Sequence, residues 1–501
     1  MSLSKKIAKN TVISGIDLSV SIVFGFLVVP ILLGRLGEEV FGIYSLILVF
    51  SVGGFLSFFD LGLEGALTKY LAKYDGLKDY DNFTKYFWNG LTLYLIIGLA
   101  IFLILFVTIY LIGVFPFNIP SNLIVLTKNV LLIYIYQFPF QFLSLGFRAT
   151  LTSVHKFGAL KTINMVYILC NFLLIYFQFK SEHDFIEYIY YFNAIFVVKC
   201  FFEFLVSVRV MPSNLRFKVS FQRPILKELY GFAKFLFLSK LVGFIYNFTD
   251  KLIISFFMPI ANLSKFNILV KMPNLISSIS SVLNSTIISV TSNLSASNND
   301  KALKSLFIKG TNFKMIIIIP IVIVSALVSD QFIELWVGKE YSDLAFLSVI
   351  LLIQFAFSQF TSLGSTMMVG SGFVKEVLPY SIFGSIVNIV ISLSFLSKLG
   401  LLSLVLGTTI SHAIIFMPYT LKMMSLYQIP KKVFWLEIRK TLLSFVLFIG
   451  VCVPIRKFFD PSNFLMLGIE MLLMLSLYFL MALLFVLGEE DKKRLRRIIK
   501  I

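Results

Sequence analysis

Some fourteen apolar stretches, most about 20 residues long as a bilayer-crossing helix requires, follow one another along this chain with only short polar joints between them. No soluble domain can be built from such a pattern. Hydrophobic residues make up 58% of the 501 positions and charged ones only 14%, far from a soluble globular balance. In hydrocarbon every backbone N–H and C=O has to be satisfied within its own segment. Spans this long and this free of alternation are therefore helices rather than barrel strands. The chain reads as an all-α polytopic membrane protein with about 14 transmembrane helices.

The spans are read at 10–34, 40–63, 88–113, 123–147, 162–179, 185–208, 229–257, 266–292, 313–329, 344–370, 377–396, 401–424, 440–458 and 464–488. The joints at 35–39, 116–121, 338–340 and 460–463 carry the polar, Gly and Pro residues that end apolar runs. Pro30, Pro139, Pro273 and Pro320 fall inside spans, where proline kinks a membrane helix without abolishing it.

Alternate joints are basic. Lys5, Lys6 and Lys9 begin one set; Lys69, Lys73, Lys78 and Lys85 continue it, as do Arg216, Lys218, Arg223 and Lys227, then Lys301, Lys304, Lys309 and Lys314. The intervening joints hold isolated cations such as Arg35, Lys180, Lys265 and Lys339. The positive-inside rule makes the basic side cytoplasmic, with both termini on it. The net charge of +18 is then a topology signal with an attraction to anionic phospholipids, not a nucleic-acid footprint. The basic 491–497 segment reads as a short interfacial helix of the same kind. The first span is too long, and lacks the small-residue site, for a cleavable signal peptide. Cys170, Cys200 and Cys452 all lie in apolar spans, so neither disulfides nor a metal site are expected.

An internal repeat is visible. Span four contains Gln137-Phe138-Pro139-Phe140-Gln141-Phe142-Leu143-Ser144-Leu145-Gly146, and span ten contains Gln354-Phe355-Ala356-Phe357-Ser358-Gln359-Phe360-Thr361-Ser362-Leu363-Gly364. Four and ten differ by six, so spans one to six and seven to twelve read as two pseudo-symmetric lobes of the same direction. The expected boundaries are 1–211 and 212–426, with two added helices and a basic tail at 427–501. Parallel repeats of this kind organise transporters around a central site and alternating access.

Helical spacing sorts the polar residues into faces. Asn10, Ser14, Asp17 and Ser21 share one in span one; Tyr134, Gln137, Gln141, Ser144 and Arg148 share one in span four. Lys240, Asn247 and Lys251 align in span seven, because eleven residues is close to three turns. Span eight carries Lys271, Asn274, Ser278, Ser281, Ser285 and Ser292, and span ten Gln354, Ser358, Thr361 and Ser365. Serine stripes also let membrane helices pack closely, and glutamines also join helices. Five such stripes are more than packing needs, and a hydroxyl- and amide-rich cavity would suit a sugar-bearing ligand.

Charge inside a membrane marks function by default. Asp17, Lys199, Glu203, Lys240, Asp250, Lys251 and Lys271 are such charges. Lys199 and Glu203 are i, i+4 neighbours placed to neutralise each other. Asp250 and Lys271 flank the span-seven/eight turn at similar depth, so a bridge between them would leave Lys240 and Lys251 to an anionic ligand. Asp60 and Glu64 sit near the cytoplasmic end of span two, where a carboxylate can also simply face the basic joint. His412 reads as a packed histidine. No Walker A string, no nucleophile–base constellation and no large external loop is present, so the chain is read as a non-enzyme, with nothing that calls for a cofactor.

The run Asn10-Thr11, Pro30-Ile31-Leu32, Leu36-Gly37-Glu38-Glu39-Val40-Phe41-Gly42-Ile43-Tyr44, then Asp60-Leu61-Gly62-Leu63 and Thr68-Lys69-Tyr70, resembles the polysaccharide-transporter branch of the multidrug/oligosaccharidyl-lipid/polysaccharide exporter superfamily. Tyr246-Asn247-Phe248-Thr249-Asp250-Lys251 and Leu335-Trp336-Val337-Gly338-Lys339-Glu340-Tyr341 are also similar to it. The resemblance implies a flippase that moves a polyprenyl-diphosphate-linked oligosaccharide (an O-antigen, capsule or exopolysaccharide unit) from the cytoplasmic to the periplasmic leaflet of the bacterial inner membrane, coupled to an ion gradient. Substrate-binding candidates are then Lys240, Asn247, Lys251, Lys271, Arg148, Gln137, Gln141 and Gln354. Ion-coupling candidates are Asp17, Asp60, Glu64 and Asp250. Partners would be the lipid-linked glycan, anionic phospholipid and other glycan-assembly membrane proteins. A cation-coupled multidrug exporter, a flippase of the peptidoglycan lipid precursor, and a surface-glycan polymerase or ligase are the alternatives.

Overall fold

A computed structural model describes residues 3–51, 53–114, 117–178, 184–211 and 221–488, with the side chains of 3–12, 235, 238–247, 282–283, 285–286, 289 and 374 excepted. The 491–497 segment, and the side chains of Asn10, Lys240, Asn247 and Ser285, lie outside what is described. The described residues form helices α1 (Leu3–Val49), α2 (Leu63–Gly76), α3 (Tyr80–Ile112), α4 (Ile124–Ile135), α5 (Phe138–Ser153), α6 (Phe157–Phe177), α7 (Phe185–Val210), α8 (Arg223–Phe257) and α9 (Ala261–Leu269). They continue with α10 (Lys271–Ala296), α11 (Asp300–Leu327), α12 (Ser329–Val337), α13 (Leu344–Gly370), α14 (Val374–Leu399), α15 (Leu401–Leu426), α16 (Lys431–Phe458) and α17 (Phe464–Met481). The chain is an all-helical, multi-pass membrane protein. Eleven stretches among the described residues are long and apolar enough to cross a membrane. One of these, in α1, holds the first two spans end to end, while α8 and the α9–α10 pair, expected as spans seven and eight, fall outside the eleven.

Several spans are broken where they were expected to run through. The first two are two helices that follow one another without a loop and meet at a kink at Gly37, whose φ of 71° is open to glycine and strained for other residues. The second then stops at Val49, crosses a 3-10 turn (Phe55–Asp60), and resumes as α2. That restart needs two consecutive left-handed residues, Leu61 (φ 49°) and Gly62 (φ 80°). Gly62 also lies so close to α8 that a Cβ there would be 2.5 Å from the Ala233 carbonyl oxygen. Span four divides into α4 and α5 at Tyr136–Gln137, with Pro139 in the first turn of α5, where its missing N–H costs nothing. Span eight divides at Val270.

Helices also outrun the apolar spans. α2 continues to Gly76 and α11 begins at Asp300, so Lys69, Lys73, Lys301, Lys304, Lys309 and Lys314 are helical rather than loop residues. Hydropathy detects the lipid-facing part of a helix, not its amphipathic ends.

The repeat is written into the turns. After α2, Lys78 is left-handed (φ 56°) and Asp79 caps α3 by accepting from the Asn82 N–H. After α10, Asn298 is left-handed (φ 51°) and Asn299 caps α11 by accepting from the Ala302 N–H. The α5–α6 and α13–α14 turns match likewise, with His155 at φ 58° and Gly372 at φ 81°.

The described chain divides into two compact units, Met1–Ser264 and Lys265–Ile501. In the first, α5 packs against α2, α3 and α7, and α6 against α1 and α7. The start of α8 is docked on α3 of the same unit: the Tyr86 hydroxyl donates to Glu228, and the Gln222 N–H to Asn89 at 2.6 Å. In the second, α13 packs against α10, α11 and α15, and α14 against α15. There α16 and α17 close over α11, burying Phe434, Phe448, Cys452, Met474 and Tyr478 in one core with Phe307 and Met315.

Candidate functional site

In the first unit the buried carboxylates Asp17, Asp60 and Glu203 each have polar partners. Asp17 of α1, 4% exposed, sits 2.8 Å from the Lys161 ammonium of α6 and accepts from Asn164 at 2.7 Å. Asp60, 2% exposed, ends the 3-10 turn and accepts the Glu64 N–H at 3.0 Å, closing the open end of α2. Its second donor is the Tyr94 hydroxyl of α3 at 2.7 Å. Glu64 in turn faces Arg148 of α5 at 3.4 Å, the more open of these pairs. Asp60 is thus a helix-end carboxylate, as its place in the sequence allowed, but buried rather than turned to the basic joint.

The span-four stripe serves three different neighbours. Gln141 donates to Gln137 at 2.5 Å and to Tyr134 at 3.2 Å, both within its own span. Ser144 donates to Glu203 of α7 at 2.5 Å. Arg148 goes to Glu64. Lys199 and Glu203 pair at 2.8 Å, the i, i+4 neutralisation the spacing predicts, with the ammonium also near the Tyr167 and Phe196 rings. Gln137 is 1% exposed, and its amide nitrogen Nε2 has no partner among the described residues.

On α8, Lys251 is half-buried and its ammonium has no partner among the described residues, while Asp250 is buried. Lys240 and Asn247 share that helix. In the second unit Lys271 opens α10 and Gln354 is half-buried on α13.

The second unit also holds two groups that the sequence pattern did not single out. Lys314, assigned to a basic joint by hydropathy, is 3% exposed in α11. It donates to Asn284 of α10 at 2.9 Å and to Ser362 of α13, and no carboxylate pairs with it among the described residues. Three residues before Ser362 on α13, Gln359 accepts from Ser280 of α10 at 2.6 Å. The signal that could have found Lys314 is the Asn299-Asp300 cap, which starts α11 early and puts Lys314 about 21 Å along it at 1.5 Å per residue. Glu470 of α17 is wholly buried, an acid six residues into an otherwise apolar span. His412 is packed, with its Nδ1 2.9 Å from the Thr408 carbonyl.

The chain resembles known transporters in fold. The lipid II flippase MurJ in an inward closed conformation superposes with a TM-score of 0.71 at 16% identity, over 94% of this chain and 98% of that one. An inward-facing multidrug resistance MATE transporter of the MOP superfamily follows at 0.66 and 16%, over 82% and 96%. A MOP superfamily transporter from Pyrococcus furiosus, with a binding pocket of reverse polarity, gives 0.58 and 15%, over 85% and 97%. No curated protein sequence matches. At these identities the likeness establishes the fold. A family model for polysaccharide biosynthesis proteins matches residues 32–346, more than half of the chain. The protein belongs to that polysaccharide biosynthesis family, on the fold of the MOP superfamily transporters.

Proposed function

We propose that this protein is a flippase that carries a polyprenyl-diphosphate-linked oligosaccharide across the bacterial inner membrane by alternating access, with both termini cytoplasmic. The observation that carries the reading is two buried or half-buried lysines, Lys314 and Lys251, without a carboxylate partner among the described residues. Asp17, Glu64 and Glu203 each have a cationic partner, and Asp60 has two hydrogen-bond donors. Lys251 and Lys314 have no carboxylate among the described residues. An uncompensated cation inside a membrane protein is costly, and a chain that keeps two has a use for them. A diphosphate supplies the missing negative charge; a cationic drug does not. The amide and hydroxyl groups beside Lys314 suit the polar surface of a glycan head group. The family match to polysaccharide biosynthesis points to the same cargo.

The test is the lipid fraction of cells depleted of this protein. Polyprenyl-diphosphate-linked oligosaccharide should accumulate in the cytoplasmic leaflet, cleared by the wild type but not by Lys251→Ala/Lys314→Ala present at wild-type abundance. A second reading, flipping of the peptidoglycan lipid precursor, is favoured by the fold likeness to the lipid II flippase. It predicts that this precursor is the lipid that accumulates. Loss of tolerance to toxic cations, with neither lipid trapped, would overturn both.

A further inference from the structure

Among the described residues Glu470 is the best-buried acid of the second unit, and no described group bonds it. Its residue exposure is 0%, and neither carboxylate oxygen has a hydrogen-bond partner among the described residues. It shares one face of α17 with Leu467, Met474 and Tyr478, all buried, so it points into the protein and away from lipid. The elements packed on α17 are α11, α12 and α16. The outer half of α11, from Met315 to Leu327, has no titratable side chain. On α12, Asp330 acts on Glu470 and Glu334 is exposed. On α16, Arg456 acts on it, Cys452 is buried in the neighbouring core, and Lys457 is exposed.

Arg456 is already engaged. Its Nη2 bonds both oxygens of Asp330 at 3.0 and 3.2 Å, its Nε the Leu327 carbonyl at 3.1 Å, and its Nη1 the Phe459 carbonyl at 3.1 Å. Asp330 has water for company, its side chain being 61% exposed. An ionised Glu470 would therefore stand in a closed apolar core with its nearby cation committed elsewhere. Such a charge is accommodated only when something neutralises it.

We propose that Glu470 is a proton-binding site, carrying its proton in this conformation and, on releasing it, competing with Asp330 for Arg456. The step balances simply: the O–H bond of the carboxylic acid breaks, the proton passes to water at the exposed Asp330 end, and the guanidinium becomes the counter-ion of the new carboxylate. Loss or gain of one proton thereby moves the contact that ties α16 to the start of α12. The site belongs to the α16–α17 hairpin and stands on that geometry, whichever lipid-linked glycan is carried.

Infrared difference spectroscopy of the full protein in lipid vesicles, titrated from about pH 5 to 9 around and above the ordinary glutamate range, tests this without any glycan substrate. The expected result is a protonated-carboxyl C=O band, shifted in heavy water, that is present near neutral pH, lost in Glu470→Gln and retained in Glu334→Gln. A wild-type spectrum without that band, or a band unaffected by Glu470→Gln, overturns the site. Should Glu470→Gln fail to fold, a hydrophobic carbodiimide, which reacts with protonated carboxyls, is applied to the wild type and the adduct located by mass spectrometry. Adduct at Glu470 that falls at least tenfold as pH rises supports the proposal; adduct confined to other carboxyls overturns it. Failure of the flippase reading would leave both readouts unchanged.

Discussion

Removing Lys199 should unfold the first unit far more readily than removing Lys199 and Glu203 together. The Lys199 side chain is 10% exposed and that of Glu203 only 1%, and the pair meets at 2.8 Å with Ser144 as the remaining donor to the carboxylate. Lys199→Met keeps the length and packing of the side chain but strands a buried negative charge, which costs about 3–5 kcal/mol. Lys199→Met/Glu203→Met removes both charges, and replacing a buried pair by apolar groups is near neutral, within about 1 kcal/mol once the freed Ser144 hydroxyl turns to its own helix backbone. At roughly 2 °C per kcal/mol for a unit of this size, the single variant should melt roughly 6–10 °C below wild type and the double within about 2 °C of it. Thermal melts of the purified protein in detergent, run as a double-mutant cycle, read the coupling directly. A double variant as unstable as Lys199→Met alone would refute the assignment of this pair as a purely structural ion pair.

Lys314→Met should behave in the opposite way, because it deletes a cation that has only neutral partners; stability should change by less than about 2 kcal/mol while glycan export collapses in the lipid-accumulation assay. Arg148→Ala should cost less than about 1 kcal/mol of stability, since its bridge to Glu64 is partly solvated at 3.4 Å and 46% exposure of the arginine side chain. Gly62→Ala should destabilise by about 1–3 kcal/mol in the same melts, because it places a side chain at φ 80° and drives a Cβ to 2.5 Å from the Ala233 oxygen. The Asp79 carboxyl, held below the ordinary aspartate range by its hydrogen bonds from Asn82, steadies the α2–α3 turn above that range and releases it as pH falls through the lowered value. Hydrogen-exchange protection at that turn should therefore weaken in acid, while the α10–α11 turn, capped by the non-titrating Asn299, should not; Asp79→Asn should abolish the difference.

The all-helical membrane class was legible because it rests on a strong local signal. Hydrocarbon forces long apolar helices, and the Gln-Phe string of spans four and ten repeats in the chain before it repeats in space. The Lys199–Glu203 pair was legible for the same reason, since four residues are one helical turn. What hydropathy hid were the breaks at Val49–Leu63, Tyr136–Gln137 and Val270, where helices stop through backbone geometry inside stretches whose average hydropathy stays apolar. It also hid Lys314 and Glu470, whose importance depends on what surrounds them.

The sequence by itself determined that the chain crosses a membrane many times as helices, because apolar length is a property of the chain alone. Only the tertiary structure decided which charges are free. Asp17 finds Lys161 and Asn164 across 144 and 147 positions of sequence, and Glu64 finds Arg148, whereas Lys314 and Glu470 meet no opposite charge at bonding distance among the described residues. Pairing between distant helices is set by packing, and in a low-dielectric interior a separation of a few ångströms is the difference between a structural charge and a working one.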